Sequence, residues 1–175
     1  FSDDLYDWQK ADINPVIEPD PGQYVWNPDG WWGDFRDPFL FQEDGTWHIL
    51  VTAEQMLGQA TGVLYHGVSD DLLDWTDVGP MFYNDGPSPW RVPESPQYHQ
   101  RGGYHHLLFG EYDTIGVSHL VAADRDSFSM DSRQIIDYGY APEVDRFDPG
   151  IDIFSRLANF WPPSSDYITY TIRFD

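Results

Sequence analysis

Ser2-Asp3-Asp4-Leu5-Tyr6-Asp7-Trp8 returns as Ser69-Asp70-Asp71-Leu72-Leu73-Asp74-Trp75, six of seven residues kept at an offset of 67. A recurrence of this length at fixed spacing marks an architecture of repeated units and outranks any single local signal. Each copy is followed by a proline, Pro15 or Pro80, and an apolar stretch. A weaker third copy, Ala123-Asp124-Arg125-Asp126-Ser127-Phe128, keeps the acidic turn and has an aromatic residue after it.

Between the markers the chain alternates short strands with turn signals. Phe39-Leu40-Phe41 runs into Gln42-Glu43-Asp44-Gly45 and then Trp47-His48-Ile49-Leu50-Val51, two antiparallel strands joined where Asp-Gly tolerates positive φ. Val63 to Val68 supplies a third strand and ends at the second marker. The next unit repeats the scheme with Gln97-Tyr98-His99, the turn Gln100-Arg101-Gly102-Gly103, then Tyr104 to Phe109 and Gly116 to Val121. No segment sustains a helical period, and 14 prolines with 15 glycines interrupt the chain too often for long helices. The chain is therefore expected to be all-β. Units of about 50 to 67 residues, each with three or four short strands and an acidic turn before the last, describe blades of a β-propeller. A β-sandwich would supply strands without a reason to repeat the marker. The expected layout is one partial propeller domain over 1–175, with a closing strand at 1–16, blades at 31–80 and 88–137, and a partial blade at 138–175.

Composition narrows the partners. At 175 residues the chain can bury a core without disulfides, and it has no cysteine, which removes disulfide frameworks, thiolate metal sites and cysteine nucleophiles. Thirty acidic residues against nine basic ones leave a formal charge of −21, which repels phosphate backbones and anionic lipid. Neither nucleic acid nor membrane is an expected partner, and no apolar run is long enough to span a bilayer. Phe1 to Lys10 is acidic where a signal peptide is basic and then apolar, so any signal is expected to lie upstream or to have been removed. Secreted and cytoplasmic locations both stay open. Aromatic residues make up 17%, an excess that suits carbohydrate faces as well as an aromatic-rich β core.

Trp32-Gly33-Asp34-Phe35-Arg36-Asp37-Pro38-Phe39, with the Asp44-Gly45-Thr46-Trp47 turn and the second marker, resembles the Arg-Asp-Pro blade of glycoside hydrolase family 32, the invertases, inulinases and levanases. Families 43 and 68 share its five-bladed fold. Val92-Pro93-Glu94-Ser95-Pro96 is similar to the family's Glu-Cys-Pro motif, with Ser95 where cysteine is usual. Ile136-Asp137-Tyr138-Gly139-Tyr140-Ala141-Pro142-Glu143 is similar to the Asp-Tyr-Gly and Tyr-Ala-Pro run that follows in the same order. The resemblance covers about residues 5 to 145.

It implies a retaining glycosidase for β-fructosidic linkages in sucrose or fructans, with arabinoside or xyloside hydrolysis as the neighbouring activity. Retention requires a nucleophilic carboxylate and an acid about 5 to 5.5 Å apart. By resemblance Glu94 is the acid/base, its pKa raised by neighbouring negative charge or partial burial. Asp37 would bind two sugar hydroxyls and stabilise the oxocarbenium-like transition state, and Arg36 would hold the carboxylates in place. Trp32, Phe35, Trp90 and Tyr140 are the expected substrate contacts. Trp26, Trp31, Trp32 and Trp90 could stack on sugar or plug the space between blades, and the sequence does not choose.

The family's nucleophile is an aspartate in a Trp-Met-Asn-Asp-Pro-Asn-Gly type motif of a preceding blade, and no such run occurs here. Asp29, in Trp26-Asn27-Pro28-Asp29-Gly30, shares its composition without its order and reads better as a turn residue. The chain is therefore expected to be about half of a propeller, and an open blade edge predicts oligomerisation or strand exchange. The same gap leaves a non-catalytic carbohydrate-binding propeller as the alternative. His105 and His106 are adjacent and so point to opposite faces of a strand, unsuited to clamp a metal. Neither a metal nor another cofactor is expected.

Overall fold

The computed structural model describes residues 1–26, 35–57, 59–84, 92–111, 116–148, 151–157 and 167–172. Apart from one 3-10 turn at Met130–Ser132, the described secondary structure is strand, arranged in three antiparallel sheets. The first is a meander of β1 (Phe35–Glu43), β2 (Thr46–Leu57) and β3 (Gln59–Ser69), with β4 (Thr76–Asp77) and β5 (Phe82–Asn84) pairing to successive parts of the free edge of β3. The second runs β6 (Glu94–Arg101), β7 (Tyr104–Glu111), β8 (Gly116–Ala122) and β9 (Gln134–Tyr138). The third runs β10 (Tyr140–Asp148), β11 (Ile151–Leu157) and β12 (Tyr167–Ile172). These are the propeller blades that the repeat predicts.

Local sequence explains the turns. Asp44 (φ 50) and Gly45 (φ 88) join β1 to β2, and Gly102 (φ 60) and Gly103 (φ 81) join β6 to β7. Two consecutive positive φ values make the hairpin turn whose twist matches its strands.

The period of two sorts side chains between seams. Along β2, Ile49, Val51 and Ala53 face a cluster with Tyr24, Val63 and Tyr65, while Leu50 faces one shared with Tyr98, Leu107, Phe109 and Leu120 of the second blade. That shared cluster is the seam between the blades, and Leu108 and Val117 continue the packing onto Val144 of β10. The first strands of the blades, β1, β6 and β10, lie next to one another in turn.

The marker is a structural repeat as well as a sequence one. Ser2 Oγ accepts the Leu5 N–H at 2.9 Å and Asp4 Oδ1 accepts those of Tyr6 and Asp7 at 2.8 and 2.9 Å. Ser69 and Asp71 repeat these contacts with Leu72, Leu73 and Asp74 at the same distances. In both turns the leucine takes positive φ, 66 at Leu5 and 69 at Leu72, and the tryptophan indole donates to its carbonyl at 3.1 Å. The backbone N–H bonds hold the Asp4 and Asp71 carboxyls below the usual carboxylate range. The third copy sits at the equivalent place, between β8 and β9, but lacks the serine and aspartate that capture the turn.

Two boundaries differ from expectation. Residues 1–16, expected as a closing strand, run as turns with no strand, because the side chains of Ser2 and Asp4 take the backbone donors that a ladder would use. The first blade extends past residue 80 to Asn84, because after Gly79 (φ 85) the chain returns along β3 and buries Phe82 in the seam.

Candidate active site

Three tripeptides open the first strands of the three blades: Arg36-Asp37-Pro38, Glu94-Ser95-Pro96 and Tyr140-Ala141-Pro142. The middle residue of each has positive φ, 56 at Asp37, 49 at Ser95 and 48 at Ala141. The ladder to the next strand is interrupted at the same point each time, between Arg36 and Phe39, Glu94 and Gln97, and Tyr140 and Glu143. A bulge of this kind re-aims side chains and ends regular pairing, and left-handed backbone at non-glycine residues costs on the order of 1–3 kcal/mol each. Arg36, Glu94 and Tyr140 are thus positional equivalents, as are Asp37, Ser95 and Ala141. Strain repeated at one rim of the blades is the first structural sign of a site.

The bulges bring the expected carboxylates together. Arg36 Nη2 donates to Glu94 Oε1 at 2.5 Å, and its Nε lies 3.9 Å from Asp37 Oδ2. Asp37 Oδ2 in turn accepts the Ser95 N–H at 3.1 Å, so the carboxylate of one bulge caps the backbone of the next. The three side chains are 26 to 32% exposed, open enough to meet a ligand yet screened from bulk water. Behind them Thr52 Oγ1, fully buried, donates to the Pro93 carbonyl at 2.8 Å.

The other expected contacts divide. Tyr140, half-buried, begins β10, and the Ala141 backbone nitrogen lies close to Gly110, the ladder partner of Glu94. Phe35 lies in an aromatic cluster, edge-on to Tyr65 at 5.1 Å, Tyr24 at 6.3 Å and Trp26 at 6.2 Å. Trp32 and Trp90, like Trp31 and Asp29, lie outside the described residues.

Sequence reasoning missed a third carboxylate near this rim. Glu111, 5% exposed, follows Gly110 on β7 and is held by Ser118 Oγ at 2.9 Å and Arg133 Nη2 at 2.7 Å. A glutamate ending an apolar strand gives no local hint of that network, whose partners come from other strands. At the far end of β1, Glu43 accepts from Arg125 and Gln100, and Tyr98 Oη is 3.4 Å from the same carboxylate, which clasps the first two blades together.

Histidine supplies a further repeat. His48 Nδ1 and His66 Nε2 are 2.8 Å apart on β2 and β3, and His106 Nδ1 and His119 Nε2 are 3.0 Å apart on β7 and β8. Burial, then the partner ring, pushes His66 and His119 down to about 4, and burial also lowers His48. The paired rings tie β2 to β3 and β7 to β8.

The chemistry available at the rim is therefore two carboxylates bridged by one guanidinium. The 94 residues shared with a fructan 1-exohydrolase of Aegilops speltoides are 36% identical and cover 51% of this chain and 14% of that protein. Fructan 1-exohydrolase w3 of Triticum aestivum matches with the same figures. The chain thus spans about a seventh of the length of these curated relatives. Among solved structures, a GH32 beta-fructofuranosidase of Bombyx mori superposes with a TM-score of 0.63 at 20% identity, covering 89% of this chain and 34% of that one. An inulosucrase of Halalkalicoccus jeotgali bound to kestose superposes at 0.66 with 18% identity, covering 83% and 44%. At such identities the structural likeness shows the fold, a β-propeller. The profile of the Glycosyl hydrolases family 32 N-terminal domain matches residues 1–147, so the chain belongs to glycosyl hydrolase family 32.

Proposed function

We propose that this chain carries part of the active site of a retaining glycosidase that cleaves β-fructosidic linkages in sucrose or fructans. The observation that supports it is the Arg36 bridge, which draws Glu94 and Asp37 from successive blades into one partly open site. Glu94 donates a proton to the leaving oxygen while a carboxylate nucleophile takes the anomeric carbon, then removes a proton from the water that releases the sugar. Asp37 holds sugar hydroxyls and stabilises the positive charge that develops on the ring. Arg36 holds the two carboxylates of the site towards each other, its Nη2 on Glu94 and its Nε 3.9 Å from Asp37 Oδ2. The nucleophilic carboxylate is not assigned among the described residues, and hydrolysis by the chain would place it in this chain or in a partner copy of it. Tyr140 and the tryptophans Trp32 and Trp90 are the proposed sugar contacts, and carbohydrate is the proposed partner.

The test is hydrolysis of sucrose, inulin, levan and an aryl arabinofuranoside by the purified chain beside Glu94→Gln. Fructose release that falls by orders of magnitude in the variant is the expected result. Release of arabinose alone would replace the fructoside assignment. Sugar binding without release from any substrate would favour a non-catalytic carbohydrate-binding role.

A further inference from the structure

Glu94 and both of its chain neighbours are held by side chains of the blade before their own. Asp37 caps the N–H of the following residue, Ser95, and Arg36 takes the carboxylate itself, both from β1. The residue before, Pro93, has its carbonyl bound by the Thr52 hydroxyl of β2. Thr52 is the ladder partner of Arg36, so the clamps on both sides of Glu94 come from paired positions of adjacent strands. It lies on the Leu50 face of β2, towards the second blade.

The contact is not a general device for docking blades. In the second blade the ladder partner of Glu94 is Gly110, so the position equivalent to Thr52 has no side chain there. A Cβ built on Gly110 would meet the Ala141 nitrogen at 3.6 Å and the Glu94 carbonyl oxygen at 3.7 Å, ordinary contact with room for a small residue. Of these two described positions, the one in the seam in front of Glu94 carries the hydroxyl. β-Branched Thr52 is also stiff at χ1, so its Oγ1 is aimed with little freedom to lose.

We propose that Thr52 is a positioning residue for Glu94, fixing the backbone ahead of it so that the carboxylate stays within reach of Arg36. The inference rests on the assignment of Glu94 as acid/base for its catalytic consequence but not for its structural one. Removal of the hydroxyl leaves the Pro93 carbonyl unpaired and lets the Pro93–Ser95 segment shift away from the β1 clamps.

Three variants test it: Thr52→Val and Thr52→Ala, which lose the hydroxyl with and without filling its space, and Thr52→Ser, which keeps it. Amide hydrogen exchange read by NMR is the primary measurement. Ser95 N–H is expected to exchange at least tenfold faster in the valine and alanine variants, with the amides of Leu50 and Leu64 unchanged and the serine variant like wild type. If one hydroxyl-free variant fails to fold, the other carries the comparison. Uniform acceleration across β2 and β3, or an unchanged Ser95, would overturn the proposal in favour of a merely structural threonine. In a hydrolysis assay the same variants are expected to lose kcat about tenfold with KM within twofold. Absence of hydrolysis in wild type counts against the glycosidase assignment alone, since the exchange measurement still decides the role of Thr52.

Discussion

At Arg36 a single side chain serves two carboxylates, one at 2.5 Å and the other at 3.9 Å. A planar fork with several donors can bridge such a pair, whereas an ammonium is a point charge that must choose. Arg36→Lys is therefore expected to cut turnover on the order of 100-fold through misplacement of Glu94, with unchanged near-ultraviolet circular dichroism; steady-state kinetics would check it, and a change under twofold would sink it. The residues Arg36, Asp37 and Glu94 were legible in the sequence because each lies in a short contiguous motif. Their equivalence left one local trace, the proline that ends each tripeptide, Pro38, Pro96 and Pro142. The register of a bulge depends on which residue takes positive φ, and at all three bulges it is a non-glycine residue, so no glycine marked the match of Glu94 with Arg36 and of Ser95 with Asp37. Thr52 and Glu111 escaped for a related reason, since their partners are brought together only by the stacking and pairing of strands.

Whole elements show the same turn put to different use. Trp75 packs against the cluster of Ile49, Val51 and Tyr65, while Trp8, in the matching turn, is 67% exposed. Trp75→Ala is expected to cost about 2–3 kcal/mol of stability in urea unfolding, and Trp8→Ala to leave the midpoint unchanged; equal effects would mean that the described packing is wrong. The hairpins give a cleaner case. Gly45 (φ 88) has nothing within 4 Å of an added Cβ, so Gly45→Ala meets only backbone strain. Its expected cost is about 1–2 kcal/mol, again read from the urea midpoint. Strands and hairpins were legible because alternation and Asp-Gly or Gly-Gly turns are local signals. Residues 1–16 depart from the expected strand because the serine and aspartate of the marker make a self-contained turn, a use of the motif that its sequence does not distinguish from the approach to a strand.

Across the whole molecule, stability is tied to the two histidine pairs that recur at equivalent places in the first two blades. His66 and His119 have folded pKa values of about 4 against 6.5 when free, so between those limits the unfolded chain binds more protons than the folded one. Their contribution is complete above pH 6.5 and is lost as pH falls towards 4, roughly 3 kcal/mol for each ring. The charge of −21 acts oppositely, since acidification relieves self-repulsion. The informative comparison is therefore the fall in urea midpoint from pH 7.5 to pH 5 in the chain and in a His66→Gln/His119→Gln double variant. A smaller fall in the variant is expected, and an equal one would show that the rings titrate freely. The clamps on Glu94 carry a different consequence, one for inheritance. A gene recombined anywhere between β5 and β6 would transmit the strand of the acid/base without Arg36, Asp37 and Thr52, so the smallest segment that can be exchanged between relatives with its chemistry intact is a pair of blades.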